Sequence, residues 1–177
     1  MSIISEKEIS EKGLISIAEK MAIAARTAPK GRGYNNIEIK LVTGKDIKKI
    51  SDKMKEIGDE KEQAFFIRDA ENILLSPVIF LIAVKVNAVD LNCGLCGFKD
   101  CNAKNKFKEV PCAFNTIDIG IALGSAVGIA SNHRVDNRIM YTIGQAVDSL
   151  NIFDEEFKII FGVPLTATSK SPFFDRK

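Results

Sequence analysis

Ser76-Pro77-Val78-Ile79-Phe80-Leu81-Ile82-Ala83-Val84-Lys85-Val86 is the stretch on which the architecture turns. From Val78 onward it is a nearly unbroken run of β-branched and aromatic side chains. A strand without polar alternation reads as one buried on both faces, and Ser76-Pro77 introduces it. Such a strand needs cover above and below, and the flanking sequence provides helices for both sides.

Toward the N-terminus, Asp59 to Leu75 reads as a helix, and Ile47, Ile50, Met54 and Ile57 mark another that ends at Gly58. Ile37-Glu38-Ile39-Lys40-Leu41 alternates as a half-buried strand, turned by Gly44. Ser5-Glu6-Lys7-Glu8 has the form of a capping box, and Leu14, Ala18, Met21, Ala22 and Ala25 follow at helical spacing until Pro29 stops the pattern. Toward the C-terminus, a helix is expected over Ala113 to Ser131, with Gly120, Gly124 and Gly128 on one face. Glycine inside a helix costs roughly 1 kcal/mol relative to alanine, so three in register imply a close neighbour: another helix, a sister subunit or a flat cofactor ring. A helix from Arg138 to Asn151, a strand from Phe157 to Val163 and an extended tail from Leu165 to Lys177 complete the chain. Strands alternating with helices predict an α/β layered domain over residues 1–177, carrying residues 91–112 as an inserted loop.

That loop holds every cysteine: Cys93-Gly94-Leu95-Cys96-Gly97-Phe98-Lys99-Asp100-Cys101, then Pro111-Cys112. The spacing is Cys-x2-Cys-x4-Cys-x10-Cys. A structural zinc site usually draws on two Cys-x2-Cys knuckles, or on one knuckle and a histidine pair, and here there is one knuckle only. A compact loop with three ligands and a fourth returning from downstream suits a cuboidal iron–sulfur cluster, so Cys93, Cys96, Cys101 and Cys112 are the expected ligands of a 4Fe-4S cluster. Gly94 and Gly97 permit positive φ and turn backbone N–H groups toward a bound anion, while Pro111 fixes φ before the last ligand. Zinc, or two disulfides, are the alternatives. With neither a signal peptide nor the size of a small stapled domain, the expected setting is a reducing cytoplasm.

Of the chain's 177 residues, 46% are hydrophobic, enough for a sizeable core. Lysine and arginine outnumber the acids by 25 to 23, which does not mark a nucleic-acid binder. The longest uncharged apolar runs, Ile73 to Val84 and Ile119 to Ser131, fall short of a bilayer span, so no membrane partner is expected. Lys99, Lys104, Lys106 and Lys108 surround the cysteine loop, where they either favour an anionic cluster and an acidic electron carrier or form an ordinary solvated loop. His133, the only histidine, reads either as a proton donor near a redox centre or as a helix cap, with Asp136 or Asn137 capping the next helix; the structural reading is favoured. Phe65-Phe66 and Phe173-Phe174 read as core or subunit contacts.

The cysteine motif resembles the iron–sulfur module of corrinoid iron–sulfur proteins and acetyl-CoA decarbonylase subunits, with a shorter last gap. Over most of the chain, several segments in order resemble the nitroreductase family of flavoproteins. These are Ala24-Ala25-Arg26-Thr27-Ala28-Pro29-Lys30-Gly31-Arg32-Gly33 with the strand after it, Ser76 to Ile79, Asp118 to Ala130, and Ile159 to Pro164. That resemblance implies a nitroreductase-like mixed sheet flanked by helices, and an FMN held by Arg26, Lys30, Gly31, Arg32 and Asn35. It also implies a homodimer or higher homo-oligomer, because those enzymes build their flavin sites at a dimer interface. With flavin bound, the chain would be a reductase passing electrons between cluster and ring. Two features depart from the family: Ser2 to Ser10 contains no arginine, and Lys30-Gly31-Arg32-Gly33 stands where serine and asparagine are usual.

Nearly end to end, the chain is similar to an uncharacterised group of ferredoxin-domain-containing proteins. Their segments match here at Ala24 to Lys30, Phe65 to Ala70, Cys93 to Cys101, Pro111 to Asn115, His133 to Arg138 and Phe173 to Arg176. The resulting expectation is an iron–sulfur protein of electron transfer, with a redox protein or a small molecule as acceptor. A redox-silent structural metalloprotein and a substrate-free carrier or sensor are the rivals.

Overall fold

The computed structural model describes residues 3–174. The capping box forms as written: the Ser5 hydroxyl accepts from Glu8 N–H at 3.3 Å, and the Glu8 carboxylate accepts from Ser5 N–H at 2.9 Å, opening α1 (Glu6–Thr27). A short 3-10 turn at Gly31–Gly33 leads into β1 (Ile37–Thr43), followed by α2 (Lys45–Glu60) and α3 (Ala64–Ile73). Then come β2 (Val78–Lys85), the cysteine loop with its short helix α4 (Cys101–Asn105), and α5 (Ala113–Asn132). β3 (Asp136–Asn137), α6 (Tyr141–Ser149) and β4 (Phe157–Thr166) close the chain.

The four strands lie in the order β1-β2-β4-β3. As expected, Val78 to Val84 are fully buried and β2 is central. Its side chains alternate between two cores. Ile79, Leu81 and Ala83 pack with α2, α3 and α6, while Val78, Phe80, Ile82 and Val84 pack with α1 and α5. The sheet is antiparallel at every described pairing rather than mixed, with Phe80 opposite Leu41 and Val163. Two helices separate β1 from β2, so the chain re-enters the sheet at the end where it left, whereas a single crossover helix would have made the pair parallel.

Several boundaries differ from expectation for local reasons, and the helix expected over Asp59 to Leu75 spans Ala64–Ile73, since α2 continues to Glu60 and the chain turns at Glu62. α2 runs through Gly58 to Glu60 and breaks at Glu62, whose φ is 55°; a Cβ on Gly58 would lie 2.9 Å from Phe66 Cβ, so that glycine admits α3 rather than ending α2. The helix expected from Arg138 begins at Tyr141, because Met140 is held extended by reciprocal bonds to Gly162 at 2.8 and 3.0 Å. β4 extends to Thr166, into the expected tail.

Of the three neighbours expected for the α5 glycines, a helix of the same chain is the one overturned. A Cβ on Gly120, Gly124 or Gly128 would meet nothing within 4 Å, whereas on Gly144 it would sit 1.8 Å from the Ile160 carbonyl oxygen, and on Gly162 2.3 Å from Ile143 Cγ2. The close approach is therefore α6 on β4. α5 is long and apolar enough to cross a membrane by length and composition, beyond the run read from sequence, but Ile119, Ala122, Leu123, Ala126 and Ala130 are spent in the core.

His133 is exposed at the C-cap of α5. Arg134 follows at φ 60°, with its N–H donating to Ser131 O and that of Val135 to Ala130 O, a Schellman motif. Twenty residues of helix put His133 about 30 Å from Cys112. Its structural reading holds, but Asp136 and Asn137 lie in β3 and do not cap α6, whose N-cap is Met140. Phe66 and Phe173 are buried in the core; the Arg138 guanidinium donates to Phe173 O at 2.8 Å and stacks 5.4 Å from the Phe174 ring. Asp175 and Arg176, which end the terminal motif, lie outside the described residues.

Candidate functional site

β2 ends at Lys85, and the loop that follows is tied at both ends before the first cysteine appears. Asn115, fully buried in the first turn of α5, donates to Lys85 O and Asn87 O at 2.7 Å each and accepts from the Asn36 side chain at 3.0 Å. Cys112 is the N-cap residue of α5, and its N–H donates to Val86 O at 3.1 Å. The last cysteine is thereby pinned to the end of the central strand, at the helix terminus whose unpaired N–H groups favour negative charge.

Cys101 is set by a reciprocal pair with Asn92. Its N–H donates to Asn92 Oδ1 at 2.8 Å, and the Asn92 N–H donates to Cys101 Sγ at 3.3 Å. Asp100 caps α4 through Ala103 N–H at 2.7 Å, the Asn105 side chain accepts from Ala88 N–H at 3.0 Å, and Phe98 stacks on Phe107 with ring centres 5.3 Å apart. Asp90, Asn92, Gly94 and Gly97 all have positive φ, between 47° and 81°. Gly94 and Gly97 carry the left-handed turns that wrap residues 93–97, as expected, closed by Gly97 N–H to Gly94 O at 3.0 Å.

Cys93, Cys96, Cys101 and Cys112 all line one narrow cavity, walled also by Val89, Phe114 and Lys104. All four are free thiols; Cys93 is exposed and Cys112 buried. Among the described residues no three Cys, His, Asp or Glu side chains close on a point where one metal ion would sit. A tetrahedral zinc with bonds of about 2.3 Å would draw its sulfurs to within about 3.8 Å of each other. In an iron–sulfur cube each thiolate binds its own iron, so the sulfurs surround a shared space instead of meeting. Four thiols around one cavity match the second arrangement in donor chemistry. The space is small, with room for about one water-sized sphere, and exposed residues 91–94 form part of its wall.

The residues assigned to FMN by resemblance make contacts within the chain. Lys30 donates to Ala25 O, Arg26 O and Ala28 O at 2.7–2.9 Å, spending all three ammonium donors on the C-terminus of α1. Its pKa is pushed below the usual lysine value, chiefly by burial and then by Arg26, with Asp118 opposing. Gly31 N–H is held by both oxygens of the buried Asp118 at 3.0 Å. Arg32 reaches Val89 O and Asp90 O at 3.3 and 3.2 Å and stacks on Tyr34. Arg26 and Asn35 are exposed. A carboxylate of the same chain thus stands on the Gly31 amide, the donor assigned to phosphate by resemblance. Through Arg32 the set ties to the Val89-Asp90 segment that leads into the cysteine loop.

Asn92, Asn115 and Asp118 were not singled out as site residues from sequence. The one signal was Asp118, a lone charge in an otherwise uncharged helix, where a carboxylate needs a partner. Of the four loop lysines, Lys99, Lys106 and Lys108 are exposed and Lys104 is buried.

The match of residues 108–176 is to the family described as an uncharacterized protein containing a ferredoxin domain. An uncharacterized protein of Archaeoglobus fulgidus is 42% identical over 182 residues, spanning 98% of this chain and 97% of that one. The fold is that of a nitroreductase with bound FMN from Desulfitobacterium hafniense (14% identity, 99% and 85% of the two chains, TM-score 0.60). It is also that of a nitroreductase with bound FMN from Bacteroides fragilis (11%, 99% and 84%, 0.60) and a BluB-like flavoprotein from Clostridium difficile (18%, 99% and 87%, 0.53). At these identities the likeness concerns the fold alone.

Proposed function

The chain belongs to the family of uncharacterized proteins containing a ferredoxin domain, and from that membership we propose an iron–sulfur redox protein, with one four-iron cluster held by Cys93, Cys96, Cys101 and Cys112. The observation that carries this reading is the single cavity lined by all four cysteines beyond the end of the central strand. When bound, the cluster supplies one-electron transfer. The protein's own residues do the rest. Asn92 fixes Cys101 and Asn115 fixes the start of the loop, and the backbone N–H of Asn92 already donates to a ligand sulfur, the kind of contact that tunes a cluster.

The setting we propose is the cytoplasm, where thiols stay reduced. The exposed Lys99, Lys106 and Lys108 suit an acidic protein partner, and a small-molecule acceptor is the other recipient. The cluster, not a flavin, is the resident redox group in this reading, because Lys30 and Gly31 are engaged within the chain. A homodimer would use the outer face of α5, where Ile117 and Ile121 are about half exposed beside the open glycines.

Anaerobic purification followed by iron, sulfide, zinc and flavin assay tests the proposal. About four irons and four sulfides per chain, with broad absorption near 400 nm that disappears in Cys→Ser variants, are expected. One zinc per chain without sulfide would establish the structural-metal alternative, and flavin released on denaturation would restore the reductase.

A further inference from the structure

We propose that Lys104 is the cluster's counter-charge and holds its reduction potential up; this inference rests on the cluster reading above. Lys104 lies three residues past Cys101 on α4, is 1% exposed, and lines the cysteine cavity. Its ammonium donates to Val86 O, the same carbonyl that receives the Cys112 N–H. Lys104 thus joins the two ends of the ligand loop at a single acceptor. An ammonium carries three donors, and Val86 O takes one of them.

No ion pair among the described residues includes Lys104. On its other side the side chain borders an open cleft shared with Glu109, Glu155 and Glu156, but none of these carboxylates lies within pairing distance, and Glu156 is bound to Lys85 at 2.5 Å. A buried ammonium without an opposite charge is strongly unfavourable, and a partner is needed to offset its lost hydration. The four cysteines facing the same cavity are that partner once they are thiolates on a cluster. Their combined charge outweighs that of the iron–sulfur core, so the assembly is an anion. Reduction adds one electron to the core, with no bond to Lys104 formed or broken. The nearby positive charge stabilises the reduced form more than the oxidised one.

The test uses the full chain with cluster loaded anaerobically, titrated with dithionite and redox mediators and followed by electron paramagnetic resonance. Lys104→Met, which keeps the length of the side chain, is expected to lower the midpoint by at least the ~59 mV that a tenfold change represents for one electron, while Lys104→Arg stays close to the unmodified protein. A melt of the cluster-free protein supplies an independent readout. Removing an unpaired buried charge should raise the melting temperature of the Lys104→Met apoprotein, whereas removing a merely structural hydrogen bond would lower it. An unchanged midpoint with the cluster intact, or a lower apo melting temperature, would overturn the proposal. If the unmodified chain takes up no iron and sulfide, the reading of the site fails, and the apoprotein melt still decides whether Lys104 is an unpaired charge.

Discussion

Gly144→Ala, set against Gly124→Ala, tests where the backbone approach in this fold lies. Alanine is favoured over glycine by roughly 1 kcal/mol inside a helix, so each change begins with a gain of that size. At Gly124 nothing in the chain lies within 4 Å of the added methyl, and the gain should survive as a higher melting temperature of the monomer at low protein concentration. At Gly144 the new Cβ would stand 1.8 Å from Ile160 O and 2.6 Å from Ile160 C, both backbone atoms that cannot rotate away. Real Cβ contacts do not fall below 3.0 Å, so α6 must withdraw by about 1.2 Å. Withdrawal opens a gap behind Ile143, Ala146 and Val147, all fully buried, and a 1 Å gap forfeits a quarter to a half of each contact's attraction. Overpacking of this kind costs about 1–3 kcal/mol, and a backbone obstacle belongs at the upper end, so a net loss of about 2 kcal/mol remains. For a domain of this length that is a fall of about 4–8 °C, readable by circular dichroism or calorimetry. A Gly144→Ala protein that melts at or above the parent would refute the reasoning. Size-exclusion chromatography of Gly124→Ala adds a second reading: a dimer built on the α5 face should weaken, because the added methyl then meets the partner.

Asn115→Ala removes two part-buried hydrogen bonds to loop carbonyls, at about 0.5–1.5 kcal/mol each, and should lower both melting temperature and iron uptake, since Cys112 begins the same helix. Asp118→Ala removes the acceptor of Gly31 N–H and should cost about 1.5–3 kcal/mol by thermal melt, while titration with FMN, followed by its fluorescence, shows no tight binding to the parent. Ser5→Ala should destabilise α1 by about 1 kcal/mol in urea unfolding. Glu8, held below the ordinary carboxylate range by its bonds to Ser5, is a group whose folded pKa is depressed. Its contribution is present above the unfolded value and is lost as pH falls through the folded one, so acid titration should affect the parent more than the Ser5→Ala variant.

Two kinds of information were present in the linear sequence. The first was local periodicity: the capping box, the helical spacing from Leu14 to Ala25, and the uninterrupted apolar run of β2 are set by neighbours within a few positions. The second was the crowding of all four cysteines into one loop, which chain connectivity alone keeps close together. What depended on the tertiary fold was which of several similar residues meets a partner. Lys99, Lys104, Lys106 and Lys108 are alike in sequence, but only Lys104 faces the end of β2, where Val86 O receives it. The glycines of α5 and α6 are alike too, and the packing of α6 on β4 alone determines that Gly144 is the close approach. Lys30 had the look of a phosphate ligand until the end of α1 claimed its donors. Spacing along the chain reports which side chains share a face; burial and unpaired charge arise only when distant segments meet, and the character of the site depends on both.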